Sequence, residues 1–425
     1  MKICIKNCTL ISMNEAKDKI EYGADILIED DTIKKIGQNI TEPEIDKTID
    51  AQGKVVMPGL INTHAHIPMS IFRETLDGYN LQDWLSKKIW PMEDKLTPED
   101  IYYASYLSFL EMIKTGTTTV NDMYSVAEEI IKAMEEAGVR LQTTRTLMSL
   151  NQPEKRLEEM QGLIDKYNNY DSKLTLNVGI HGLYTSNEPY VDKCIELAKK
   201  NNKHIHIHFC ENNTEVEDIK KAYNRTPVKV LKEKFKGVKT ILAHAVKLTE
   251  KEIQEIKDMD ISISHCPVSN LKLGCGIANI KAMQENGINV SLGTDGQGSG
   301  SNLDLFETMK YTALLQKGIT EDPESMPAYE VIKMATINGA KALNLQEEIG
   351  SIKEGKKADI IIIDIDDIKM KPVNDLISEI VYNVKGNNVV TTIINGKILM
   401  EDGKLLNNKE KEIAEKCEKI IKRIE

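Results

Sequence analysis

The hydrophobic and polar positions divide this chain into two kinds of segment. Up to about residue 55, and again after about residue 350, apolar and polar residues alternate in short stretches such as KICIKNCTLI and VVTTIINGKILMEDGKLL. A period of two residues predicts β-strands with one buried face. Between these ends, apolar runs alternate with stretches such as SVAEEIIKAMEEAG, whose apolar residues recur at helical spacing. The middle of the chain therefore predicts alternating strands and helices.

Two β-rich ends around a different centre predict one small domain that both termini build. We assign residues 1–57 and 350–405 to a small β-sandwich domain, in which Asn395 and Gly396 form a strong hairpin signal. Residues 406–425 contain NKEKEIAEKCEKIIKRIE, with apolar residues at helical spacing. They predict a C-terminal helix that packs on the surface or on another subunit.

The central region, residues 58–349, has the length and the repeat number of a (β/α)₈ TIM barrel, an α/β fold. The first predicted strand begins slightly before this boundary. The candidate strands are residues 55–62, 117–122, 139–146, 174–181, 203–209, 239–244, 261–265 and 289–294. A doubly wound open sheet is the alternative, and the absence of a GxGxxG motif after a first strand weakens it.

Histidines and one aspartate gather where these predicted strands end. Active sites of such barrels lie at the carboxyl ends of the strands. In chain order, the polar residues at those ends are His64, His66, Arg145, His181, His208, His244, His265 and Asp295. His204 and His206 lie earlier in the fifth strand and share a face with His208, so we expect them to line the barrel.

A metal site is the chemistry that these residues favour. His64 and His66 are two positions apart in a strand, so both imidazoles point to one face, although the pair alone equally fits a polar barrel rim. Together with His208 and Asp295 they supply the ligands of a catalytic metal with a position open to water. Asp295 alone would be a turn residue of GTDG, but a carboxylate buried among histidines is costly without a cation.

Acid/base chemistry is predicted beside that cluster. Glu211 follows His208 by three residues and would lie above the metal. A carboxyl in that place can exchange protons with the reacting water. An ordinary solvated loop acid is the alternative, and we expect Glu215 and Glu217 to be such acids. His244 is placed to hydrogen-bond the water, with a supporting or core histidine as its alternative.

Composition and charge exclude several other classes. The 425 residues carry a formal net charge of -11, which argues against nucleic acid as the main partner. The N-terminal stretch lacks the apolar core of a secretory signal, and no run reaches the length of a membrane helix. Seven cysteines without a CxxC spacing indicate neither disulfides nor a zinc ribbon. We expect a cytoplasmic protein without membrane or nucleic-acid partners, and leave a homo-oligomer open.

The motifs PGLINTHAH, HFCEN, LAHAV, SHCPVSNLKL and GTDGQGSGSNLDLFETM together resemble the amidohydrolase superfamily. Within it, they resemble the adenosine-type deaminases that act on S-adenosylhomocysteine and 5'-methylthioadenosine. The resemblance covers nearly the whole chain. Many relatives bridge two metals with a lysine from strand 4, but LTLNVGIHGLYT has none at its end, which implies a single metal. The other zinc deaminase design, with HxE and PCxxC, is absent.

The resemblance also implies roles for individual residues. It implies one Zn²⁺ per subunit, with Fe²⁺ or Mn²⁺ as alternatives, held by His64, His66, His208 and Asp295. Asp295 and His244 would serve the attacking water, and Glu211 would protonate N1 of the adenine. The resemblance implies that Glu93 contacts the ribose and His181 the purine. It implies that Arg145 and Arg156 bind an amino-acid carboxylate. Glu211 and Asp295 are also implied to contact the substrate.

Two rival functions remain at this stage. The same metal ligands serve guanine or cytosine deamination and triazine dechlorination, and fold alone does not separate these activities. The implied contacts of Glu93, His181 and Arg145 favour a nucleoside. A non-catalytic scaffolding barrel is the second rival. We would expect such a protein to have lost metal ligands or Glu211, and this chain retains them.

Overall fold

The computed structural model describes residues 1–17, 19–74, 78–168 and 170–424. Their strands are β1 (Lys2–Leu10), β2 (Glu21–Glu29), β3 (Thr32–Gly37), β4 (Lys47–Asp50), β5 (Lys54–Pro58), β6 (Leu60–Ala65), β7 (Thr117–Asp122), β8 (Arg140–Thr143), β9 (Leu174–Leu176), β10 (Val178–Gly182), β11 (Ile205–Phe209), β12 (Thr240–His244), β13 (Ile261–His265), β14 (Asn289–Leu292), β15 (Ile360–Asp364), β16 (Val389–Ile394), β17 (Lys397–Glu401) and β18 (Lys404–Leu405).

The helices follow the same order along the chain. They are α1 (Leu81–Trp84), α2 (Trp90–Glu93), α3 (Pro98–Lys114), α4 (Ala127–Ala137), α5 (Pro153–Tyr167), α6 (Glu188–Lys200), α7 (Asn213–Tyr223), α8 (Pro227–Lys234), α9 (Glu250–Ile256), α10 (Pro267–Lys272), α11 (Ile280–Glu285), α12 (Gln297–Gly300), α13 (Leu305–Thr320), α14 (Ala328–Met334), α15 (Ile337–Leu343), α16 (Leu376–Tyr382) and α17 (Glu410–Ile424). Leu85–Ile89 forms a π-helical segment between α1 and α2. None of the described helices has the length and apolar character needed to cross a membrane.

Strands β6 to β14 form the predicted parallel barrel. β6 to β9 pair in sequence order, and so do β10 to β14, while β9 and β10 are two halves of one strand interrupted at Asn177. A bridge between Leu147 and Ile180 joins the two sets. At the closing edge, the Thr63 hydroxyl donates to the Leu292 carbonyl over 2.9 Å. The α/β barrel fold is therefore confirmed, with its strands ending at a common mouth.

Both ends of the chain contribute to the second sheet. Its strand order is β18-β17-β16-β15-β5-β1-β2-β3, with β4 paired to β1. β5 pairs antiparallel with β15, which comes from the C-terminal part, and parallel with β1. A core of residues such as Ile5, Ile26 and Ile360 is buried on this sheet. The predicted small β domain built from both termini is thus confirmed.

The first barrel strand differs from its prediction. Residues 55–62 were expected to form one strand, but β5 belongs to the terminal sheet and the barrel begins with β6. The chain changes sheets at Gly59, where a β-carbon would overlap the Thr118 side chain. This shift extends the first barrel strand to Ala65, so that it contains His64 and ends directly before His66. Pro58-Gly59 interrupts the apolar run at this point, but the residues on both sides are apolar and buried, so the pattern does not show that they belong to different sheets.

An ion pair and a helix contact are among the links between the ends of the chain and the barrel. The guanidinium of Arg140 donates from Nε and Nη2 to the Asp359 carboxylate, over 2.9 and 3.2 Å, and its Nη2 also reaches Asn395. Arg140 is 1 % exposed and Asp359 4 % exposed, so the pair is shielded from solvent. Helix α17 lies on α3, with Ile413 and Ile420 among its buried residues.

We expect Asp359→Ala to destabilise the protein strongly, because it leaves the buried Arg140 charge without its partner. Breaking a buried ion pair typically costs about 3–5 kcal/mol. Thermal and urea unfolding measure the loss. Glu128→Ala, which breaks an exposed pair with Lys166, is the control and should shift unfolding far less. Equal shifts for the two variants would contradict this account of the junction.

Candidate active site

The four predicted metal ligands meet at the mouth of the barrel. His66 Nε2 lies 3.2 Å from Asp295 Oδ1 and 3.2 Å from His208 Nε2. His64 Nε2 lies 3.5 Å from the same Asp295 oxygen. These residues come from β6, the residue after it, β11 and the loop after β14. Parallel strand order thus brings together groups that are far apart in the sequence.

The histidine rings are held so that their Nε2 atoms face one another. His66 Nδ1 donates to the Met123 carbonyl over 2.6 Å, and His208 Nδ1 donates to the His181 carbonyl over 2.5 Å. A ring that donates from Nδ1 keeps the Nε2 lone pair available, as a metal ligand requires. His64 Nε2 is buried and has no hydrogen-bond partner among the described residues. A divalent cation would satisfy this atom, so the donor set fits a metal ion.

Asp295 supplies the negative charge of the cluster. The hydroxyls of Ser269 and Ser299 donate to its Oδ2 over 2.5 and 2.8 Å. Burial alone would raise its pKa, but the His64 and His66 imidazoles, 3.5 and 3.2 Å from Oδ1, hold the pKa well below its usual value. Burial likewise opposes protonation of His66, yet the bond to Asp295 and its charge raise the pKa of His66 to about 9. Burial lowers the pKa of His64 to about 4. Without a cation, the cluster therefore holds an Asp295–His66 ion pair.

Glu211 and His244 lie beside the cluster. Glu211 is 4 % exposed, and its Oε2 lies 3.8 Å from His244 Nε2. The Cys275 thiol donates to its Oε1 over 3.6 Å. Burial raises the pKa of Glu211, which favours a carboxyl that holds a proton. His244 Nδ1 donates to the Asn270 side-chain oxygen over 2.9 Å and so turns Nε2 toward the site.

A cavity of about 620 Å³ opens onto these groups. Its lining includes the predicted residues His66, Glu93, Arg145, Arg156, His181, His208, Glu211, His244 and Asp295. His64, the remaining predicted residue, is fully buried within the cluster. All predicted site residues are thus in or directly beneath one cavity.

The residues predicted to hold a substrate lie along the cavity wall. Glu93 accepts a hydrogen bond from the Tyr124 hydroxyl over 2.6 Å, and burial raises its pKa. Burial lowers the pKa of His181 to about 3, so its ring is neutral. Arg145 and Arg156 both donate from Nη1 to the Thr146 carbonyl, over 3.2 and 3.3 Å, which brings the two guanidinium groups together.

Two residues beside the site were not anticipated. Glu215 was expected to be a solvated acid, but it is 1 % exposed and accepts hydrogen bonds from the backbone of Cys210 and Glu211. The sequence did contain a signal for a structural role of Glu215. It follows Asn212 by three positions, and an N-cap residue followed three positions later by Glu marks a helix start. His206, expected only to line the barrel, contacts His64 Nδ1 over 2.8 Å. Glu217 is exposed, as expected.

A parallel barrel with a histidine–aspartate cluster and a buried glutamate defines a class, the hydrolases that use a divalent metal. The sequence profile of the Amidohydrolase family matches residues 55–399, and the chain belongs to this family. The resemblance drawn from the sequence motifs is therefore confirmed. These findings also make the chain a hydrolytic enzyme.

Two relatives and one solved structure are similar to this chain over nearly its whole length. A 5-methylthioadenosine/S-adenosylhomocysteine deaminase from Caldanaerobacter subterraneus is 43% identical over 406 residues, covering 94% of this chain and 93% of that protein. A 5'-deoxyadenosine deaminase from Methanobrevibacter smithii is 40% identical, covering 99% and 98%. The structure of an adenosine deaminase from Xanthomonas campestris with bound zinc superposes with a TM-score of 0.96 at 26% identity, covering 99% and 98%.

Metal binding should release a proton from this cluster. His66, with a pKa of about 9, is protonated at pH 7 in the metal-free protein, and a metal ligand must be deprotonated. Apparent Zn²⁺ affinity should therefore rise with pH, about tenfold per unit, until pH passes about 9. Calorimetry at pH 7 in two buffers of different ionisation enthalpy measures the proton. A binding heat that does not depend on the buffer would contradict the Asp295–His66 ion pair.

Proposed function

We propose that this chain is a zinc-dependent deaminase that acts on S-adenosylhomocysteine, 5'-methylthioadenosine and related adenosines. The reaction replaces the C6 amino group of the adenine ring with oxygen from water and releases ammonia, which leaves a hypoxanthine product. The observation that carries the proposal is a buried, protonatable Glu211 beside the histidine–aspartate cluster, in a cavity large enough for a nucleoside. Relatives about 40% identical that are named as deaminases of such nucleosides support it.

His64, His66, His208 and Asp295 are the residues that would hold the metal. When bound there, zinc supplies a Lewis acid that makes water reactive near neutral pH. Imidazole and carboxylate ligands also accept Fe²⁺ and Mn²⁺, but zinc suits a four-ligand set of this kind. The similar adenosine deaminase structure contains zinc.

Three side chains then handle protons and water. Asp295 accepts a proton from the attacking water, because hydrogen bonds keep its carboxylate ionised. His244, oriented by Asn270, hydrogen-bonds the attacking oxygen. Glu211 gives its proton to N1 of the adenine, which makes C6 more electrophilic. Water adds to C6, the proton held by Asp295 passes to the amino nitrogen, the bond from C6 to that nitrogen breaks, and ammonia leaves. The proton of the new C6 hydroxyl returns to Glu211, which leaves a carbonyl at C6 and a proton on N1.

The remaining cavity residues bind the rest of the nucleoside. An ionised Glu93 accepts hydrogen bonds from both ribose hydroxyls, and Tyr124 holds its carboxylate in place. The neutral His181 ring contacts a purine nitrogen. The adjacent guanidinium groups of Arg145 and Arg156 bind the amino-acid carboxylate of S-adenosylhomocysteine.

A substrate panel tests the function directly. Zinc-reconstituted protein should convert 5'-methylthioadenosine, S-adenosylhomocysteine, 5'-deoxyadenosine or adenosine to the hypoxanthine product, measured by ultraviolet absorbance and by ammonia release. The same protein after chelation should lose the activity, because the reacting water then lacks its activator. Activity confined to guanine, cytosine or a chlorotriazine would reject the adenosine assignment and favour a sister reaction.

Glu211→Gln should lose most of its turnover and keep its metal, because the amide cannot deliver the N1 proton. General acid catalysis contributes about 10²–10⁴-fold, and kcat should fall by that amount. The control is Glu217→Gln, an exposed acid in the next helix that pairs with Lys220. Steady-state kinetics and metal analysis of both variants decide the matter. Near-normal turnover in Glu211→Gln would reject its role.

A further inference from the structure

Near the start of helix α7, the Glu215 carboxylate makes hydrogen bonds that differ from those of a standard capping box. Asn212 caps the helix, and its side chain accepts a hydrogen bond from the Glu215 backbone over 2.9 Å. In a standard capping box, the glutamate at this third position returns to the backbone N–H of the cap residue itself. Here the Glu215 carboxylate reaches further back. Its Oε1 accepts from the Cys210 N–H over 2.9 Å, and its Oε2 accepts from the Glu211 N–H over 2.7 Å.

The turn that receives these bonds is conformationally demanding. Strand β11 ends at Phe209, and Cys210 then takes a left-handed conformation with φ +51°. A residue with a β-carbon stays in that region only where its surroundings hold it there. The two successive N–H groups of this turn point into the protein, where water cannot satisfy them. A single buried carboxylate therefore satisfies both donors and stabilises the turn.

The position of the Glu211 side chain depends on this turn. Its carboxyl sits between the Cys275 thiol, 3.6 Å from Oε1, and His244 Nε2, 3.8 Å from Oε2. Glu215 itself is not among the described residues that line the cavity, so it does not touch a bound nucleoside. It contacts the catalytic residue through the backbone N–H of Glu211, and its charge also acts on the Glu211 carboxyl.

We propose that Glu215 is a positioning residue whose carboxylate fixes the Cys210–Glu211 turn and so aims the Glu211 carboxyl at the reacting base. The proposal rests on the proposed function for its catalytic part. Its structural part is independent, since it concerns where the Glu211 side chain lies. Misplacing a reacting group by about 1 Å can cost about 10²-fold in rate.

The main test compares Glu215→Gln, Glu211→Gln and the double variant. The glutamine has one oxygen, so one of the two N–H groups faces another donor. We expect kcat of Glu215→Gln to fall about 10- to 100-fold, with KM and metal content near the wild-type values. In the Glu211→Gln background the same change should cost almost nothing further, because the group it positions is already disabled. Glu217→Gln, two positions along the same helix, is the matched control and should be unaffected.

Several results would overturn the proposal. An unchanged kcat in fully metallated Glu215→Gln would contradict it. So would a double variant whose kcat loss equals the product of the two single losses, because the two changes would then act independently. If Glu215→Gln does not fold, Glu215→Asp replaces it, because the shorter carboxylate keeps its charge but cannot span both N–H groups. A crystal structure of the variant gives a readout without activity. The proposal expects a rearranged turn and a displaced Glu211 carboxyl, and an undisturbed turn would refute it even if the wild type deaminated no nucleoside.

Discussion

A buried carboxylate facing imidazole rings is the interaction on which this site depends. Asp295 is 5 % exposed and accepts from two serine hydroxyls and from the backbone N–H of Gly296. Those donors satisfy part of its hydrogen-bonding capacity but do not neutralise its negative charge. A buried negative charge requires a positive one nearby. The protonated His66 ring provides it in the metal-free protein, and a divalent cation among the same ligands would provide it better.

The closed parallel sheet explains why the rings point correctly. His66, His208 and His244 each receive a hydrogen-bond partner from the neighbouring strand or from the segment that follows it. The residue after β7 supplies the carbonyl for His66, β10 supplies the carbonyl for His208, and Asn270 follows β13 to hold His244. Because adjacent parallel strands end side by side, a carbonyl or amide at one strand end is within reach of the next histidine. The strand order of the barrel thus positions both the histidines and the groups that hydrogen-bond to them.

Residue pattern alone predicted the architecture and the histidine–aspartate cluster with Glu211, whereas Glu93 and Arg156 were predicted only through the family resemblance. Period-two segments at both ends, eight apolar strands between them and histidines at strand ends were sufficient, because each follows from local spacing. The switch of sheet at Gly59 was missed since it depends on the close approach of Thr118, which lies far along the chain. The burial of Glu215 was missed for a related reason. A glutamate six residues beyond the end of β11 looks solvated until the turn to which its carboxylate hydrogen-bonds is known.

Glu93 and Glu211 show how one cavity assigns different tasks to two identical side chains. Burial raises the pKa of both carboxyls, so burial cannot separate them. Their positions do. Glu93 accepts from the Tyr124 hydroxyl on the cavity wall, whereas the Glu211 carboxyl lies 3.8 Å from His244 Nε2, beside the histidine–aspartate cluster. An ionised acceptor suits ribose hydroxyls, and a protonated carboxyl suits the transfer to N1. In the proposed reaction the position of each glutamate relative to the metal ligands therefore decides which one acts as the acid.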